Sequence, residues 1–428
     1  MKVQTLVLAA GKSSRMWPLG DKILFKYFGK SLLQHQLENL QAAGLKDFTI
    51  VCNKGNFSMI EKICQENFAN LIFKLAVQSD FAKGLAGGVL AGESFLKMDQ
   101  PLLVVNSNDF VEKECFTNLL EQRKKSKAEI LIVGKVVENY FPGGYLQVSQ
   151  ENQIEKIVEK PDPQKVPSNL VALLIQLFEK PKKLFKKIRE SESDRDDVFE
   201  CALQQLFNEK IPAQVCPHQG FWQALKFPWD HLKLAEFFLG KLNKTFVHPS
   251  ATVASSAILN GPVFVSENCK ILAGAILNGP VFLGENCVVG NHALLRDCHL
   301  GRNCVAGAHT EICRSFVGEG CIFHRNYLGD SILQENVSFG ANACTANFRL
   351  DGQEIFTKVK GEKTGTKRKK FGAVIGKNVR IGVGTHLMPG VKVGQDSFIA
   401  SGICVEKDLA EKKFLKAEMK TIEKENKF

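Results

Sequence analysis

Two segments of the chain, AILNGPVFVSENC (257–269) and AILNGPVFLGENC (275–287), are nearly identical and lie 18 residues apart. Around them an aliphatic residue recurs at every sixth position, namely Val247, Val253, Leu259, Val265, Ile271, Leu277, Leu283, Val289 and Leu295. The period returns at Ile375, Ile381, Leu387, Val393, Ile399 and Val405. Because three hexads make one coil of a triangular prism, the pattern predicts a parallel β-helix.

The same register accounts for most of the cysteines. Four of them stand four residues after a repeat aliphatic, at Cys269, Cys287, Cys304 and Cys321. We therefore predict small, inward-facing side chains that pack inside the coils. The 13 cysteines form no CxxC pair, which argues against a zinc site and against a disulfide framework. A reducing, cytoplasmic location is expected.

The sequence before residue 240 has a different pattern, in which strand-like and helix-like segments alternate as in α/β layers. Predicted strands are Val3–Leu8, Phe48–Val51, Ile72–Val77 and Leu102–Val105, and predicted helices are Ser31–Ala43, Cys115–Lys125, Phe178–Glu190 and Pro228–Leu239. We therefore predict an α/β domain over 1–240, a β-helix over 245–408 with a loop inserted at 346–373, and a charged tail over 409–428.

The charge of the chain is concentrated in two places. Its 428 residues carry a net charge of +11. Residues 1–30 contribute +5 and residues 358–370 contribute +6, so the rest of the chain is balanced. No apolar run approaches the ~20 residues that a membrane helix needs. Two local phosphate-binding sites are therefore predicted, rather than binding to nucleic acid or to a membrane.

The first of these basic windows contains LAAGKSSRMWPLGDK (8–22), directly after the first predicted strand. Gly11 lets the backbone approach a phosphate, and loop amides can surround that phosphate. Arg15 and Lys22 can bind further phosphate oxygens, the first through its planar fork and the second as a point charge. The segment therefore predicts a nucleotide-phosphate site.

This segment and five that follow it resemble the sugar-1-phosphate nucleotidyltransferases, with their Rossmann-like α/β domain. The later segments are GKSLLQHQLENL (29–40), VQSDFAKGLAGG (77–88), LLVVNSNDF (102–110) and GGYL with IVEKP (143–146 and 157–161). The resemblance implies nucleotide contacts by Ala9, Ala10, Gly11, Gln78 and Gly84, catalysis by Arg15 and Lys22, Mg²⁺ binding by Asp109, and sugar-phosphate contacts by Gly144, Glu159, Lys160 and Asn169.

Two positions depart from the pattern of that family. Ser13 stands where many members have a second glycine. Ala224, in GFWQALKFPWDHL (220–232), stands where the family usually has a second metal-binding aspartate or asparagine. A Mg²⁺ site with one carboxylate remains chemically workable, because Mg²⁺ keeps waters and substrate phosphates among its ligands.

The predicted β-helix contains a second set of motifs: HRNYLGD (324–330), FGANACTANFRLDG (339–352) and KKFGAVIG (369–376). They resemble the bifunctional N-acetylglucosamine-1-phosphate uridyltransferase/glucosamine-1-phosphate acetyltransferases, most closely the archaeal type, whose β-helix is left-handed. The resemblance implies that His324 is the general base, that Tyr327, Asn347 and Lys370 bind the acceptor, and that Lys407 lies near coenzyme A. Cys313 stands where that family has a phosphate-binding lysine.

The leading hypothesis is a homotrimeric enzyme that acetylates glucosamine-1-phosphate with acetyl-CoA and transfers UMP from UTP to N-acetylglucosamine-1-phosphate with the help of Mg²⁺. UTP and dTTP are both compatible with the motifs, and so is more than one sugar-1-phosphate. One alternative is a thymidylyl- or uridylyltransferase that acts on glucose-1-phosphate and has a non-catalytic β-helix. Another is a non-catalytic regulatory homologue, as in some translation-factor exchange subunits.

Overall fold

The computed structural model describes residues 2–81, 83–418 and 422–425, so residues 419–421 and 426–428 of the predicted tail lie outside the described residues. The chain forms two compact units. The first unit contains the chain up to Lys12 together with Leu32–Ala224, and the second contains Ser13–Ser31 together with the chain from Leu225 onward. Within the described residues, no helix has the length and apolar character needed to cross a membrane.

The first unit is built on a nine-stranded mixed sheet. The strands of this unit, numbered in chain order, are β1 Gln4–Leu8, β2 Asp47–Cys52, β3 Ile72–Val77, β4 Leu102–Asn106, β5 Asp109–Val111, β6 Ile130–Val136, β7 Gly144–Val148, β8 Ile154–Glu159, β9 Leu170–Phe178, β10 Ala213–Pro217 and β11 Trp222–Ala224. Strands β5 and β11 form a separate two-stranded ribbon, and the other nine form the sheet. The main path of the sheet runs β8-β7-β9-β4-β1-β2-β3, and β6 joins β9 to β10. All five residues of β1 are buried, as expected for a central strand.

Six helices accompany this sheet: α1 Leu32–Ala42, α2 Phe57–Asn67, α3 Gly84–Ala91, α4 Lys113–Lys125, α5 Pro181–Glu190 and α6 Val198–Asn208. The helix predicted from Phe178 begins only at Pro181, because Phe178 is the last residue of β9 and pairs with both β4 and β6. Pro181 occupies the first turn of α5, where its missing N–H costs nothing. The predicted Rossmann-like α/β architecture is confirmed.

The register of the central strands determines where the loops of this unit meet. Strand β1 is parallel to both β2 and β4, and Leu8 at its end pairs with Asn106 at the end of β4. The loops that follow these strands therefore leave the same edge of the sheet, which is where open α/β sheets bind ligands.

The second unit contains a β-helix of stacked parallel strands. Its strands are Phe246–Val247, Thr252–Val253, Ile258–Asn260, Val263–Val265, Lys270–Ile271, Ile276–Leu283, Val288–Val289, Leu294–Leu300, Val305–Ala306, Glu311–Cys313, Phe316–Val317, Ile322–Phe323, Tyr327–Gly329, Ile332–Leu333, Ser338–Phe339, Cys344–Thr345, Val374–Ile375, Arg380–Ile381, His386–Leu387, Lys392–Val393, Phe398–Ile399, Cys404–Val405 and Phe414–Leu415. Registered residues are 18 apart in the first coils, as in Ile258 with Ile276, so each hexad forms one side of a coil. The predicted parallel β-helix is confirmed.

The interior and the corners of the coils follow the hexad pattern. Cys269, Cys287, Cys304 and Cys321 are fully buried, and each thiol donates to a carbonyl of the next coil over 3.0–3.1 Å. Asparagines take left-handed backbone angles at corners, for example Asn268 with φ 56°, because their side chains tolerate that region better than most. The packing role predicted for these cysteines is confirmed.

The basic insertion lies between Thr345 and Val374, and registered residues on its two sides are 42 apart instead of 18. It folds as a hairpin of Phe356–Val359 with Glu362–Gly365. Near its base, Phe348 forms an antiparallel bridge with Lys370.

The second unit also contains α7, Asp230–Gly240, and residues 13–31, which we call the strap. The strap has two short 3₁₀ turns, Ser14–Met16 and Lys22–Leu24, and a small hairpin of Lys26–Tyr27 with Lys30–Ser31.

Candidate active sites

The loop after β1 is held by two asparagines that follow β2. Asn56 donates to the carbonyl of Ala9 over 2.9 Å, and Asn53 donates to the carbonyl of Ala10 over 3.2 Å. Gly11 is exposed next in the chain, and a Cβ on it would lie 3.7 Å from Asn108 Nδ2. The two asparagines were missed by sequence reasoning, although polar residues directly after a parallel strand are a usable signal.

Asp109 begins β5, three residues after β4 ends. It therefore follows the edge of the sheet at which the loops after β1 and β4 leave. Its carboxylate accepts from Asn106 Nδ2 over 3.4 Å, and the residue is only 9% exposed. Ala224 of β11 is its directly registered partner. Ala224, which stands where the resemblance implies a second metal-binding side chain, is therefore directly opposite Asp109 in the two-stranded ribbon. Among the described residues there is no cluster of three His, Cys, Asp or Glu side chains that could hold a metal, and Ala224 offers no carboxylate at the position registered with Asp109.

Gln78 and Gly84, the predicted base-contacting residues, lie against each other. Both amide hydrogens of Gln78 are used, since Nε2 donates to the carbonyls of Asp80 and Gly84 at 3.0 Å. Gly84 has φ +46°, and a Cβ there would lie 1.9 Å from an oxygen of Asp196. Only glycine fits that backbone without strain, so Gln78 orients the start of α3 through contacts that need this glycine.

The sugar-binding candidates meet where β7 pairs with β8. Glu159 is registered with Gly144, and a Cβ on that glycine would approach Glu159 Oε2 to 3.3 Å. Lys160 Nζ lies 3.0 Å from Glu159 Oε1. Asn169 is exposed before β9, and its carbonyl accepts from the backbone N–H of Val137 over 2.9 Å. The structure thus brings Gly144, Glu159 and Lys160 together, whereas Asn169 serves a backbone contact.

Glu200 on α6 lies near Glu159 and Lys160. Sequence reasoning did not identify it, because a glutamate on a helix face belongs to no recognisable motif. Burial, followed by the neighbouring charge of Glu159, raises the pKa of Glu200 to about 8. The carboxyl group therefore keeps its proton at neutral pH. A protonated Glu200 leaves Glu159 free of a second negative charge at close range.

Glu200→Gln is expected to flatten the pH dependence of the first unit's stability. Because the raised pKa favours the protonated form in the folded state, its contribution is full below about pH 4 and is lost as the pH rises toward 8. The wild type should lose stability between pH 5 and pH 8, on the order of a few kcal/mol at most. Denaturant titrations at both pH values measure this. Glu155→Gln, an exposed site on β8, is the control and should keep the wild-type slope.

Arg15 and Lys22 lie in the strap. Arg15 is exposed, with its guanidinium 5.8 Å from the ring centre of Phe227. Lys22 is half-buried, and its Nζ donates to the carbonyl of Leu225 over 2.9 Å. Ser13 takes the left-handed angle φ 51°, and its hydroxyl accepts from the Lys22 N–H over 3.4 Å. The serine therefore closes the loop that presents both cations.

In the β-helix, Tyr327 and Asn347 are in direct contact, with Asn347 Nδ2 donating to the tyrosine hydroxyl over 3.2 Å. The same amide nitrogen donates to Asp330 Oδ2 over 2.5 Å. Arg314 binds both oxygens of that aspartate, at 2.9 and 2.8 Å, and this ion pair raises the pKa of Arg314. Asp330 is 1% exposed, so a bidentate cation is the partner that its burial requires.

Cys313 occupies the position of the expected phosphate-binding lysine. Its sulfur lies 3.6 Å from the Tyr327 hydroxyl. Burial, and then this thiol, raise the pKa of Tyr327 to about 12. The tyrosine is therefore a neutral hydrogen-bond donor at physiological pH. Arg314, one residue later, is a cation, but its guanidinium binds Asp330.

The other candidates of this set are exposed. The backbone N–H of His324 donates to Asn326 Oδ1, and the Asn326 side-chain amide donates to two carbonyls of the next coil at 2.8 Å. The imidazole of His324 is exposed three residues before Tyr327. Lys370 is exposed at its bridge with Phe348, and Lys407 is exposed beyond the strand Cys404–Val405.

Three known families match successive parts of this chain. The nucleotidyl transferase family matches residues 4–225, the GMPPB C-terminal domain matches residues 242–350, and the bacterial transferase hexapeptide repeat matches residues 372–402. A protein of Methanococcus vannielii named bifunctional protein GlmU is 30% identical, with 96% of this chain and 97% of that protein aligned. The chain is a GlmU-type member of the nucleotidyl transferase family.

Two further relatives align over the same length. The GlmU of Methanocaldococcus jannaschii is 30% identical over 96% of this chain and 97% of its own length. A bifunctional sugar-1-phosphate nucleotidylyltransferase/acetyltransferase of Sulfurisphaera tokodaii is 28% identical over 97% of this chain and all of its own length. The predicted pairing of a nucleotidyltransferase domain with a hexapeptide acyltransferase domain, in the archaeal type of GlmU, is confirmed.

Proposed function

We propose that this GlmU-type protein acetylates glucosamine-1-phosphate with acetyl-CoA and transfers UMP from UTP to N-acetylglucosamine-1-phosphate. The observation that carries the proposal is the contact of Tyr327 with Asn347 on the coil that also presents His324. A β-helix that served only for assembly would have no need of this polar group. We further propose that the protein is cytoplasmic and acts as a homotrimer, by analogy with other hexapeptide acyltransferases.

In the nucleotidyl step, a phosphate oxygen of the sugar-1-phosphate attacks the α-phosphorus of UTP. The bond from that phosphorus to the bridging oxygen of the leaving pyrophosphate breaks, and no covalent protein intermediate forms. Arg15 and Lys22 bind the triphosphate and offset the charge that develops on it. Glu159 and Lys160 bind the sugar, and Ala9–Gly11 supply backbone contacts to the nucleotide.

Mg²⁺ fits the single carboxylate of Asp109, because carboxylate oxygen is a preferred ligand and substrate phosphates and waters complete the shell. When bound, the ion neutralises phosphate charge. Asn106 orients the carboxylate through its amide. A metal site held by Asp109 would depend strongly on the substrate for its remaining ligands.

In the acetyl step, the amine of glucosamine-1-phosphate attacks the thioester carbonyl of acetyl-CoA. The imidazole of His324 takes a proton from the attacking nitrogen, the carbon–sulfur bond breaks, and coenzyme A leaves as the thiol. Tyr327, which remains a neutral phenol because of its raised pKa, donates a hydrogen bond to the acceptor. Lys370 contributes positive charge for the sugar phosphate, and Lys407 does so for coenzyme A.

The experiment that tests this function measures pyrophosphate release for UTP and dTTP, each with the 1-phosphates of glucose, glucosamine and N-acetylglucosamine. Thiol release from acetyl-CoA is measured with the two unacetylated sugars. The proposal predicts the highest kcat/KM for UTP with N-acetylglucosamine-1-phosphate, and thiol release with glucosamine-1-phosphate. Preference for dTTP with glucose-1-phosphate and no thiol release would favour the thymidylyltransferase alternative.

Ala224→Asp is expected to lower the Mg²⁺ concentration needed for half-maximal pyrophosphate release by roughly three- to tenfold. Side chains at directly registered positions of an antiparallel pair have Cβ atoms about 5 Å apart, so the new carboxylate would stand beside Asp109. A Mg²⁺ titration at saturating substrate measures the change. Gln223→Glu adds the same charge on the opposite face of β11 and is the control. An unchanged half-saturation in the active Ala224 variant would contradict the metal assignment.

A further inference from the structure

The strap runs lengthwise along one face of the β-helix. Six residues of successive coils are registered with one another in a single ladder, namely Phe282, His299, Phe316, Ile332, Val374 and Lys392. The strap meets this face in reverse order, with Phe28 at the Phe282 end and Trp17 at the Lys392 end. Since neighbouring coils are about 4.8 Å apart, the strap is attached to the prism over roughly 24 Å.

The attachments at the Phe28 end are aromatic and polar. The Phe28 ring stacks on Phe282 at 4.3 Å between ring centres, and its N–H donates to His299 Nε2 over 3.2 Å. The ring centres of Phe25 and Phe316 are 4.6 Å apart. Lys26 forms a 2.9 Å ion pair with Glu319, at the next corner. Aromatic pairs of this kind stabilise a contact beyond the apolar area that they bury.

The attachments at the other end converge on Lys392. A Cβ on Gly376 would lie 3.2 Å from the carbonyl of Pro18, so the backbones pass closely there. Lys392 Nζ lies 5.2 Å from the ring centre of Trp17 and 3.4 Å from Asp408 Oδ2, and it donates to the carbonyl of Lys358 in the inserted hairpin. A lysine that is only 3% exposed requires such partners, because an unpaired buried ammonium is costly.

Through Trp17, these contacts connect Lys392 to the segment of the strap that carries Arg15 and Lys22. Trp17 stands two residues after Arg15 and five before Lys22, the cations to which we assign the triphosphate. We infer that Lys392 is a positioning residue for nucleotidyl transfer, which fixes the triphosphate-binding strap to the β-helix through Trp17. The inference rests on the proposed function of Arg15 and Lys22. It makes the β-helix part of the machinery of the first reaction, in addition to its own acetyl transfer.

The alternative is that Lys392 only stabilises the second unit. A stability role would lower the amount of folded enzyme, or kcat, without selecting one substrate. A positioning role predicts a selective rise in the KM for the nucleoside triphosphate, since displacing binding groups by about 1 Å from a remote site can cost up to about 100-fold in rate.

The test compares Lys392→Met, Lys392→Arg and Lys270→Met in the full chain, with KM for UTP and for the sugar-1-phosphate measured separately. Lys270 takes the same strand position in another coil, Lys270–Ile271, but is exposed. We expect about a tenfold rise in the KM for UTP in Lys392→Met, partial recovery in Lys392→Arg, and wild-type values in Lys270→Met. The KM for the sugar-1-phosphate should stay within about twofold, because no contact links Lys392 to that substrate.

A double-mutant cycle with Trp17→Leu tests whether Lys392 acts through Trp17. If Lys392 acts through Trp17, the double variant should have about the same KM for UTP as the more affected single variant, since coupled residues are non-additive. Thermal melting confirms folding, and calorimetric binding of UTP gives the same comparison without turnover. Equal UTP affinities in Lys392→Met and Lys270→Met, or additive effects in the cycle, would overturn the inference alone. A wild type that neither turns over nor binds a nucleoside triphosphate would reject the proposed function itself.

Discussion

Asp109→Asn is expected to lower kcat/KM for pyrophosphate release by about 100- to 1000-fold. The substitution preserves the size of the side chain and its contact with Asn106, but it removes the carboxylate that we assign to the metal. Ala224, the registered partner of Asp109, supplies no second ligand. The loss should be larger than in a two-carboxylate site, and raising the Mg²⁺ concentration should recover only part of it.

The matched control for this variant is Asp47→Asn. Asp47 begins β2, at the end of the sheet opposite to the loops after β1 and β4, and lies 3.8 Å from Lys74. It should retain wild-type pyrophosphate release. Acetyl transfer should be unchanged in both variants, because their substitutions are confined to the first unit. If Asp109→Asn releases pyrophosphate at the wild-type rate, Asp109 is not a metal ligand.

His324→Asn is expected to lower the rate of thiol release from acetyl-CoA by about 100- to 10,000-fold, the range attributed to general base catalysis. Asparagine keeps the backbone N–H that binds Asn326 but cannot take a proton from the amine. Pyrophosphate release with N-acetylglucosamine-1-phosphate should be unaffected. Continuous thiol detection at saturating substrates measures the effect.

His309→Asn provides the comparison for this second variant. His309 is another exposed histidine of the β-helix and has φ 57° at a corner, a conformation that asparagine tolerates. Its replacement should leave thiol release intact. Equal activity of the His324 and His309 variants would show that the acetyl step uses a different base, or none.

The periodic parts of this molecule could be predicted from the sequence, since a hexad repeat permits few other structures. The inward position of Cys287 and the corner conformation of Asn286 follow directly from their place in the repeat. The order of motifs also predicted that the loops after β1 and β4 leave one edge of the sheet, because the carboxyl ends of parallel strands meet there. These features depend on local pattern and on strand order.

The remaining features depend on contacts between distant residues, which a single sequence does not encode visibly. Nothing near Lys392 indicates that it reaches Trp17, 375 positions earlier in the chain. No motif marks Arg314, and its bidentate pair with Asp330 arises because coils of 16–17 residues stack there. The protonated state of Glu200 likewise results from burial beside Glu159.

A single coupled assay shows whether one chain performs both reactions. The purified protein is supplied with glucosamine-1-phosphate, acetyl-CoA, UTP and Mg²⁺, and thiol and pyrophosphate are followed together. We expect both to be released and to reach equal amounts, with thiol appearing first. We also expect that His324→Asn suppresses both products, whereas Asp109→Asn suppresses pyrophosphate alone. Pyrophosphate formed from N-acetylglucosamine-1-phosphate by a wild type whose thiol release does not exceed that of His324→Asn would contradict the account.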